Sequence, residues 1–271
     1  MGLGAGYTAA ELLELYVEQG GEIFPPLGGV KLWLRDKRHY SRRLYDREAL
    51  QRVLQNKLGD RLFGESRMRL CIPAFEGTHS EVFVFKTPHH SDYKTDRFER
   101  MVNVGLATAA APTYFRPLEH GGYTLVDGGV WANNPIMLAL IEALICFDVA
   151  RGQIDVLSLG CGDDRYIVSQ GEIIKGGLWH WKKIMEAAMR LQSLAATNQA
   201  RLLLGPPAVW RFDAPTFEPK RRTDDWRRSV LELVPAADRT VATHGAAIAA
   251  TLLTQTAMPF VPVPVGQASS G

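Results

Sequence analysis

The chain has 271 residues, 31 Lys and Arg against 29 Asp and Glu, and a net charge of +2, with 46% hydrophobic and 22% charged residues. This composition excludes a disordered chain, a collagen-like repeat and a disulfide scaffold. The near balance of charge argues against nucleic-acid binding through bulk electrostatics, and the length suits one large domain or two small ones.

Three cysteines, Cys71, Cys146 and Cys161, are odd in number and lack zinc-finger or redox spacing. A reducing compartment is the simplest home for them. The longest apolar run, 136–147, carries Glu142 and is shorter than a bilayer span. The opening MGLGAGYTAAELLELY has no basic stretch before an apolar core and does not read as a secretory signal. Gly6 stands where a myristoylation pattern needs Ser or Thr. A cytoplasmic location is therefore expected.

Thr8-Ala9-Ala10-Glu11 reads as a capping box, the Thr hydroxyl bonding the third helical N–H and the Glu reaching back. Leu12, Leu15 and Tyr16 recur at helical spacing, and Gly20-Gly21 is expected to end that helix before a Pro25-Pro26, Gly28-Gly29 loop. Residues 31–48 are dense in basic side chains (Lys31, Arg35, Lys37, Arg38, Arg42, Arg43, Arg47). Two readings stay open there, a solvated surface and a patch for anions or a membrane surface. Leu50, Val53, Leu54 and Leu58 form one apolar helix face closed by Gly59. Segments 69–75 and 82–85 read as buried strands. Segment 87–96 reads as a polar loop whose His89, His90 and Asp92 lack metal-site spacing.

The small residues of 104–111 suit a tightly packed helix. Tyr123-Thr124-Leu125-Val126 reads as a short strand ending at Asp127-Gly128-Gly129. Asn134-Pro135 opens a helix, Asn as N-cap and Pro first. Segment 154–159 is a further strand ending at Gly160. Two Ala- and Leu-rich helices follow, 179–204 and 225–254, separated by Pro206-Pro207 and by 214–222. The end from Pro259 is rich in Pro and Gly and reads as loose. Alternation early and helices late argue for an α/β core with a helical addition.

The stretch that carries chemistry is 105–135, GLATAAAPTYFRPLEHGGYTLVDGGVWANNP. Asp127 falls at the carboxyl end of a predicted strand, where α/β sheets place their ligands. Gly128 and Gly129 permit a sharp turn and a close backbone approach. A carboxylate so placed can accept a proton from a neighbouring hydroxyl. Asp127 can equally do no more than begin an Asp-Gly turn, and the local residues leave both readings open.

GLATAAAPTYF followed by LVDGGVWANNP resembles the second half of the patatin-like phospholipase domain. FKTPHHSDYKTD and the strand-then-turn Val156-Leu157-Ser158-Leu159-Gly160-Cys161-Gly162, with Cys161 where the family has Thr, extend the likeness over residues 1 to about 165. The resemblance implies a three-layer α/β/α sandwich, N-terminally truncated, with a C-terminal helical addition. Residues 1–165 would be the partial α/β core, 166–258 the helical part of the same domain and 259–271 a flexible tail. The implied activity is phospholipase-type acyl hydrolysis by a Ser–Asp dyad, in lipid breakdown. Asp127 would be the proton acceptor, with Gly128 and Gly129 completing the DGG motif. The substrate would be a phospholipid or another acyl ester, met by peripheral contact at the inner membrane. No cofactor, metal, DNA or RNA is implied.

In that family a Gly-rich oxyanion loop and a Gly-x-Ser-x-Gly elbow come before a segment like GLGAGYTAAELLELYVEQGGEIFPP. Here none of Ser41, Ser66, Ser80, Ser91, Ser158, Ser169, Ser193, Ser229, Ser269 and Ser270 has glycine at both −2 and +2. Gly2-Leu3-Gly4-Ala5-Gly6 has glycine at its centre, and Cys161 occupies a turn rather than an elbow. The chain is therefore expected to lack the nucleophile and to be inactive as it stands, since losing one oxyanion donor alone costs about 10²–10³ in rate. A late start codon, a gene fragment and a degenerate pseudoenzyme are the open causes. Exposed strand edges would make such a chain poorly soluble.

The GCGDD turn at 160–164, GGLWHWKK at 176–183 and the LQS…NQARLLLGP segment look similar to bacterial members of the family. Some of those serve anti-phage systems and are switched on by a cyclic dinucleotide. Trp179, His180 and Trp181 would then stack on the nucleotide; the alternative is aromatic packing in the helical layer. A non-catalytic lipid- or nucleotide-binding protein of the same fold, and an unrelated α/β small-molecule binder, are the competing functions.

Overall fold

The computed structural model describes residues 1–25, 43–162, 167, 168, 170, 184–215 and 224–264. They fall into two compact units. One comprises Met1–Gly129, Thr223–Val230 and Thr256–Gly271; the other comprises Val130–Arg222 and Leu231–Gln255. Each unit combines helices with a sheet, so the α/β class expected from the sequence is the class observed.

In the first unit, helix α1 (Ala9–Ile23) starts on its capping box. Thr8 Oγ1 accepts the Glu11 N–H at 3.2 Å, and Glu11 Oε2 accepts the Thr8 N–H at 2.7 Å. The helix does not stop at Gly20-Gly21. Those glycines lie against the Trp226 indole, and a Cβ on Gly20 would stand 3.1 Å from it. Glycine serves close packing here rather than termination. Helix α2 (Arg47–Leu58) buries Leu50, Val53 and Leu58 and ends at Gly59, as the apolar face predicts. Of the basic stretch, Arg47 donates to the Pro117 carbonyl at 2.9 Å; Lys31, Arg35, Lys37, Arg38 and Arg42 lie outside the described residues.

Strands β1 (Cys71–Glu76), β2 (Glu81–Lys86), β3 (Leu118–His120) and β4 (Tyr123–Asp127) form one sheet in the order β2-β1-β4-β3. Every neighbouring pair is antiparallel. Helix α3 (Met101–Thr108) buries Met101, Val102, Val104, Leu106 and Ala107. With Phe63 and Leu125 they fill the core of this unit, and each large side chain contributes about 1.5–3 kcal/mol by leaving water. The predicted polar loop 87–96 begins buried. Thr87 Oγ1 accepts the Leu70 N–H at 2.8 Å and lies 2.9 Å from His89 Nδ1, so His89 belongs to a core hydrogen-bond set. The end expected to be loose is held as far as Val263. The Val263 N–H donates to the Pro88 carbonyl at 2.8 Å, and its own carbonyl accepts from Arg97 at 2.7 Å.

After β4 comes one short helical turn, α4 (Gly129–Ala132). In the second unit, α5 (Ile136–Cys146) and α6 (Ile184–Leu204) pack Ile136, Leu140, Ala196 and Ala200 against Val209. Strands β5 (Val156–Gly160) and β6 (Val209–Asp213) pair in parallel, with α6 in the connection that parallel pairing requires. The sequence reading missed β6, whose five residues begin one residue after Pro206-Pro207. Leu157 and Leu159 of β5 are 43% and 71% exposed, on the opposite face from buried Ser158. Helix α7 (Trp226–Leu252) carries Pro235 within it. Among the described residues no helix is long and apolar enough to cross a membrane.

Asn134 does not occupy the N-cap position. The helix begins at Ile136 with Pro135 there, and Asn134 caps from one residue earlier, its Oδ1 accepting the Ile136 N–H at 3.2 Å. The amide is a buried hub. Nδ2 donates to Thr197 Oγ1 at 3.0 Å and to the Ser193 carbonyl at 3.4 Å, and Oδ1 also accepts from Ser158 at 3.3 Å.

Candidate active site

The placement of Asp127 follows from a proline on the neighbouring strand. The β1–β4 ladder pairs Glu76 with Leu125, Phe75 with Val126 and Ala74 with Asp127. The next residue of β1 is Pro73, which has no N–H to donate, so the ladder stops there. Its carbonyl accepts from Thr108 Oγ1 at 2.8 Å instead. Gly128 crosses Pro73 so closely that a Cβ would collide with the Pro73 carbonyl. Neither Gly128 nor Gly129 adopts left-handed backbone. Close approach, not an unusual turn, is what Gly128 is for. The carboxyl-end rule used on the sequence belongs to parallel sheets; β4 is antiparallel to both neighbours, and the proline sets the position instead.

Asp127 is anchored at both ends. Its N–H donates to the Ala110 carbonyl at 3.1 Å, and Oδ1 accepts the Gly129 N–H at 2.6 Å. Burial pushes its carboxyl above the ordinary carboxylate range, and the Gly129 N–H offsets only part of that. Among the described residues Oδ2 accepts no hydrogen bond. A carboxylate with raised proton affinity and an oxygen so placed can accept a proton from a neighbouring hydroxyl.

Of the other predicted features, Gly128 and Gly129 stand beside Asp127. Cys161 is exposed, next to Gly162 at φ 119°, and none of Cys71, Cys146 and Cys161 is in a disulfide. Trp179, His180 and Trp181 lie outside the described residues. The sequence reading did not find Pro73 and Thr108, the residues that end the ladder. Nothing local marks them, because their roles depend on strand register.

The site is thus a half-buried acidic residue at the end of an antiparallel ladder, with a glycine pressed on the neighbouring strand. The patatin-like phospholipase model matches residues 4–140, and the chain belongs to that family. Among curated relatives, it is 28% identical over 211 residues to a cGAMP-activated phospholipase of Pseudomonas aeruginosa, covering 76% of this chain and 61% of that protein. It is 29% identical over 213 residues to one of Vibrio cholerae, covering 73% and 59%. It is also 29% identical over 206 residues to patatin-like protein 2 of Oryza sativa subsp. indica, covering 65% and 49%. The chain thus spans about three fifths, or less, of the length of these relatives.

Proposed function

We propose that this chain is the carboxylate-bearing part of a Ser–Asp acyl hydrolase acting on phospholipids or related esters, with Asp127 as the proton acceptor. One observation carries the reading: Asp127 is half-buried at the end of its strand, its Oδ1 holds the Gly129 N–H, and among the described residues nothing bonds Oδ2. In the reaction a serine Oγ attacks the ester carbonyl while its proton passes to Asp127 Oδ2. Collapse of the tetrahedral adduct breaks the ester C–O bond, and the leaving alkoxide takes the proton back from Asp127. Water then repeats the sequence on the acyl-enzyme and frees the acid. Gly128 and Gly129 position the carboxylate and contribute no proton.

These 271 residues hold no Gly-x-Ser-x-Gly, and as they stand we assign them negligible ester hydrolysis. The relatives named as cGAMP-activated phospholipases support a cyclic dinucleotide as activator of the whole protein. Its place would be cytoplasmic, with peripheral contact at the inner membrane where the substrate resides.

The test is to read the coding sequence upstream of Met1 and assay both forms on a p-nitrophenyl ester. An in-frame extension encoding the serine elbow should give turnover that Asp127→Asn lowers by about 10²–10⁴. Unchanged turnover in that variant would remove Asp127 from the mechanism. Asp127-dependent turnover by the 271 residues alone would overturn the inactivity.

A further inference from the structure

The second unit contains a concavity of about 390 Å³ between β6 and α7 that the acyl-hydrolase reading does not use. Its volume sits near the lower end of ligand pockets, roughly 300–1,000 Å³, and suits one small ligand. On the strand side are Arg211 and Asp213, two residues apart and on one face. On the helix side are Arg239, Thr240, Thr243 and His244, and the spacings of three and four (Thr240/Thr243, Arg239/Thr243 and Thr240/His244) make those pairs neighbours on α7.

The hydrogen bonds divide these groups into donors and acceptors. Arg211 is engaged: Nε and Nη2 donate to Asp213 at 2.8 and 2.5 Å, and Nη1 donates to Ser158 Oγ at 2.8 Å. That pair is locally neutral. Arg239 lines the cavity and has no carboxylate partner among the described residues, so it is the cation of the lining that a ligand can engage. The His244 ring sits 5.0 Å from the Phe212 ring and adds a second nitrogenous group. Thr240 and Thr243 donate their hydroxyl protons to the carbonyls of Ala236 and Arg239, at 3.0 and 2.9 Å. With those protons committed to the helix, the two hydroxyls that line the cavity have only acceptor capacity left to offer a ligand, as does the Asp213 carboxylate beyond its bonds to Arg211.

A ligand that complements this set carries an anion and, beside it, hydrogen-bond donors. A bare anion meets only half of the site, and a neutral sugar leaves Arg239 unmatched. We propose that the cavity binds a hydroxylated phosphate ester, its phosphate on Arg239 and His244 and its hydroxyl or amino groups on Thr240, Thr243 and Asp213. Nucleotides and glycerophospholipid headgroups share that chemistry. The assignment rests on these side chains alone and stands or falls separately from the role of Asp127.

The experiment titrates the 271-residue protein with AMP, with inorganic phosphate and with vesicles of phosphatidylglycerol in phosphatidylcholine. Arg239→Gln and Thr243→Val change exposed helix positions, and Arg151→Gln, at an exposed site away from the cavity, controls for lost charge. Binding of AMP that Arg239→Gln weakens at least tenfold and Thr243→Val severalfold, with Arg151→Gln unchanged, assigns the site to nucleotides. The same pattern on vesicles alone assigns it to headgroups. Inorganic phosphate binding as tightly as either ester contradicts the role of Thr240, Thr243 and Asp213. Equal loss in Arg151→Gln, or no binding of either ester tighter than millimolar, overturns the site.

Discussion

Glu76 and Asp127 stand at opposite ends of the short β1–β4 ladder, Glu76 opposite Leu125 and Asp127 opposite Ala74. Glu76 is buried and Asp127 half-buried, and their surroundings treat the two carboxylates in opposite ways. Burial opposes the charge on Glu76, but a ring of donors outweighs it. Thr78 and His79 N–H groups bond at 2.8 and 2.7 Å, Thr124 N–H at 3.2 Å, and the His79 ring lies at 3.0 Å. Together they hold the carboxyl down at about 2. Asp127 has partial burial with a single donor to its carboxylate, the Gly129 backbone N–H, and its proton affinity rises. The comparison separates a carboxylate that builds structure, tying the β1–β2 hairpin to β4, from one left under-solvated at a cost to stability. Departures from local consistency of the second kind collect at functional sites.

The largest effect expected is steric. Gly128→Ala places a methyl group against the Pro73 carbonyl, a backbone atom that cannot swing away. It should destabilise by about 3 kcal/mol, or roughly 6–12 °C in melting temperature. A smaller loss would mean that the Asp127 turn is not pinned to β1.

Glu76→Gln comes next, because an amide turns one acceptor of the ring into a donor facing donors. Its sign with pH is fixed by the depressed value. The Glu76 contribution is fully present above the unfolded glutamate value, about 4.3, and disappears as pH falls through about 2. Melting temperatures of parent and variant should therefore differ at pH 7 and converge near pH 2. A constant gap across that window would assign the loss to packing instead of charge.

The smallest effect separates the two carboxylates most sharply. Asp127→Asn keeps an oxygen for Gly129 and removes a charge that burial disfavours. A raised folded value means that folding favours the protonated acid. The associated stability is present below the unfolded aspartate value, about 3.9, and is lost as pH rises through the folded one. The variant should melt at or slightly above the parent at pH 7, with the gap closing in acid. A clear drop at pH 7 would show Asp127 to be a second structural carboxylate like Glu76.

Local chemistry carried a good part of this into the sequence. The Thr8–Glu11 capping box, the apolar face of α2, the small-residue helix α3 and the strand ending at Asp127 all show as residue patterns within a short stretch of chain. What stayed hidden depends on partners far along the chain. Gly20-Gly21 passes as a helix stop unless Trp226 is known to lie over it. Glu76, in a strand flanked by polar residues, gives no sign of its donors until the hairpin and Thr124 close around it. Pro73 reads as an awkward strand residue, and only the register with Gly128 explains it. The motif identified Asp127 through family likeness, whereas its desolvation is a property of the folded sheet.

The most direct test is to follow the side-chain carboxyl carbons of Asp127 and Glu76 by 13C NMR as a function of pH in the same sample. Asp127 should titrate above the ordinary aspartate value, about 3.9, while Glu76 titrates near 2. An Asp127 midpoint at or below the ordinary value would leave it a weak proton acceptor at the end of a turn and contradict its assignment as the base.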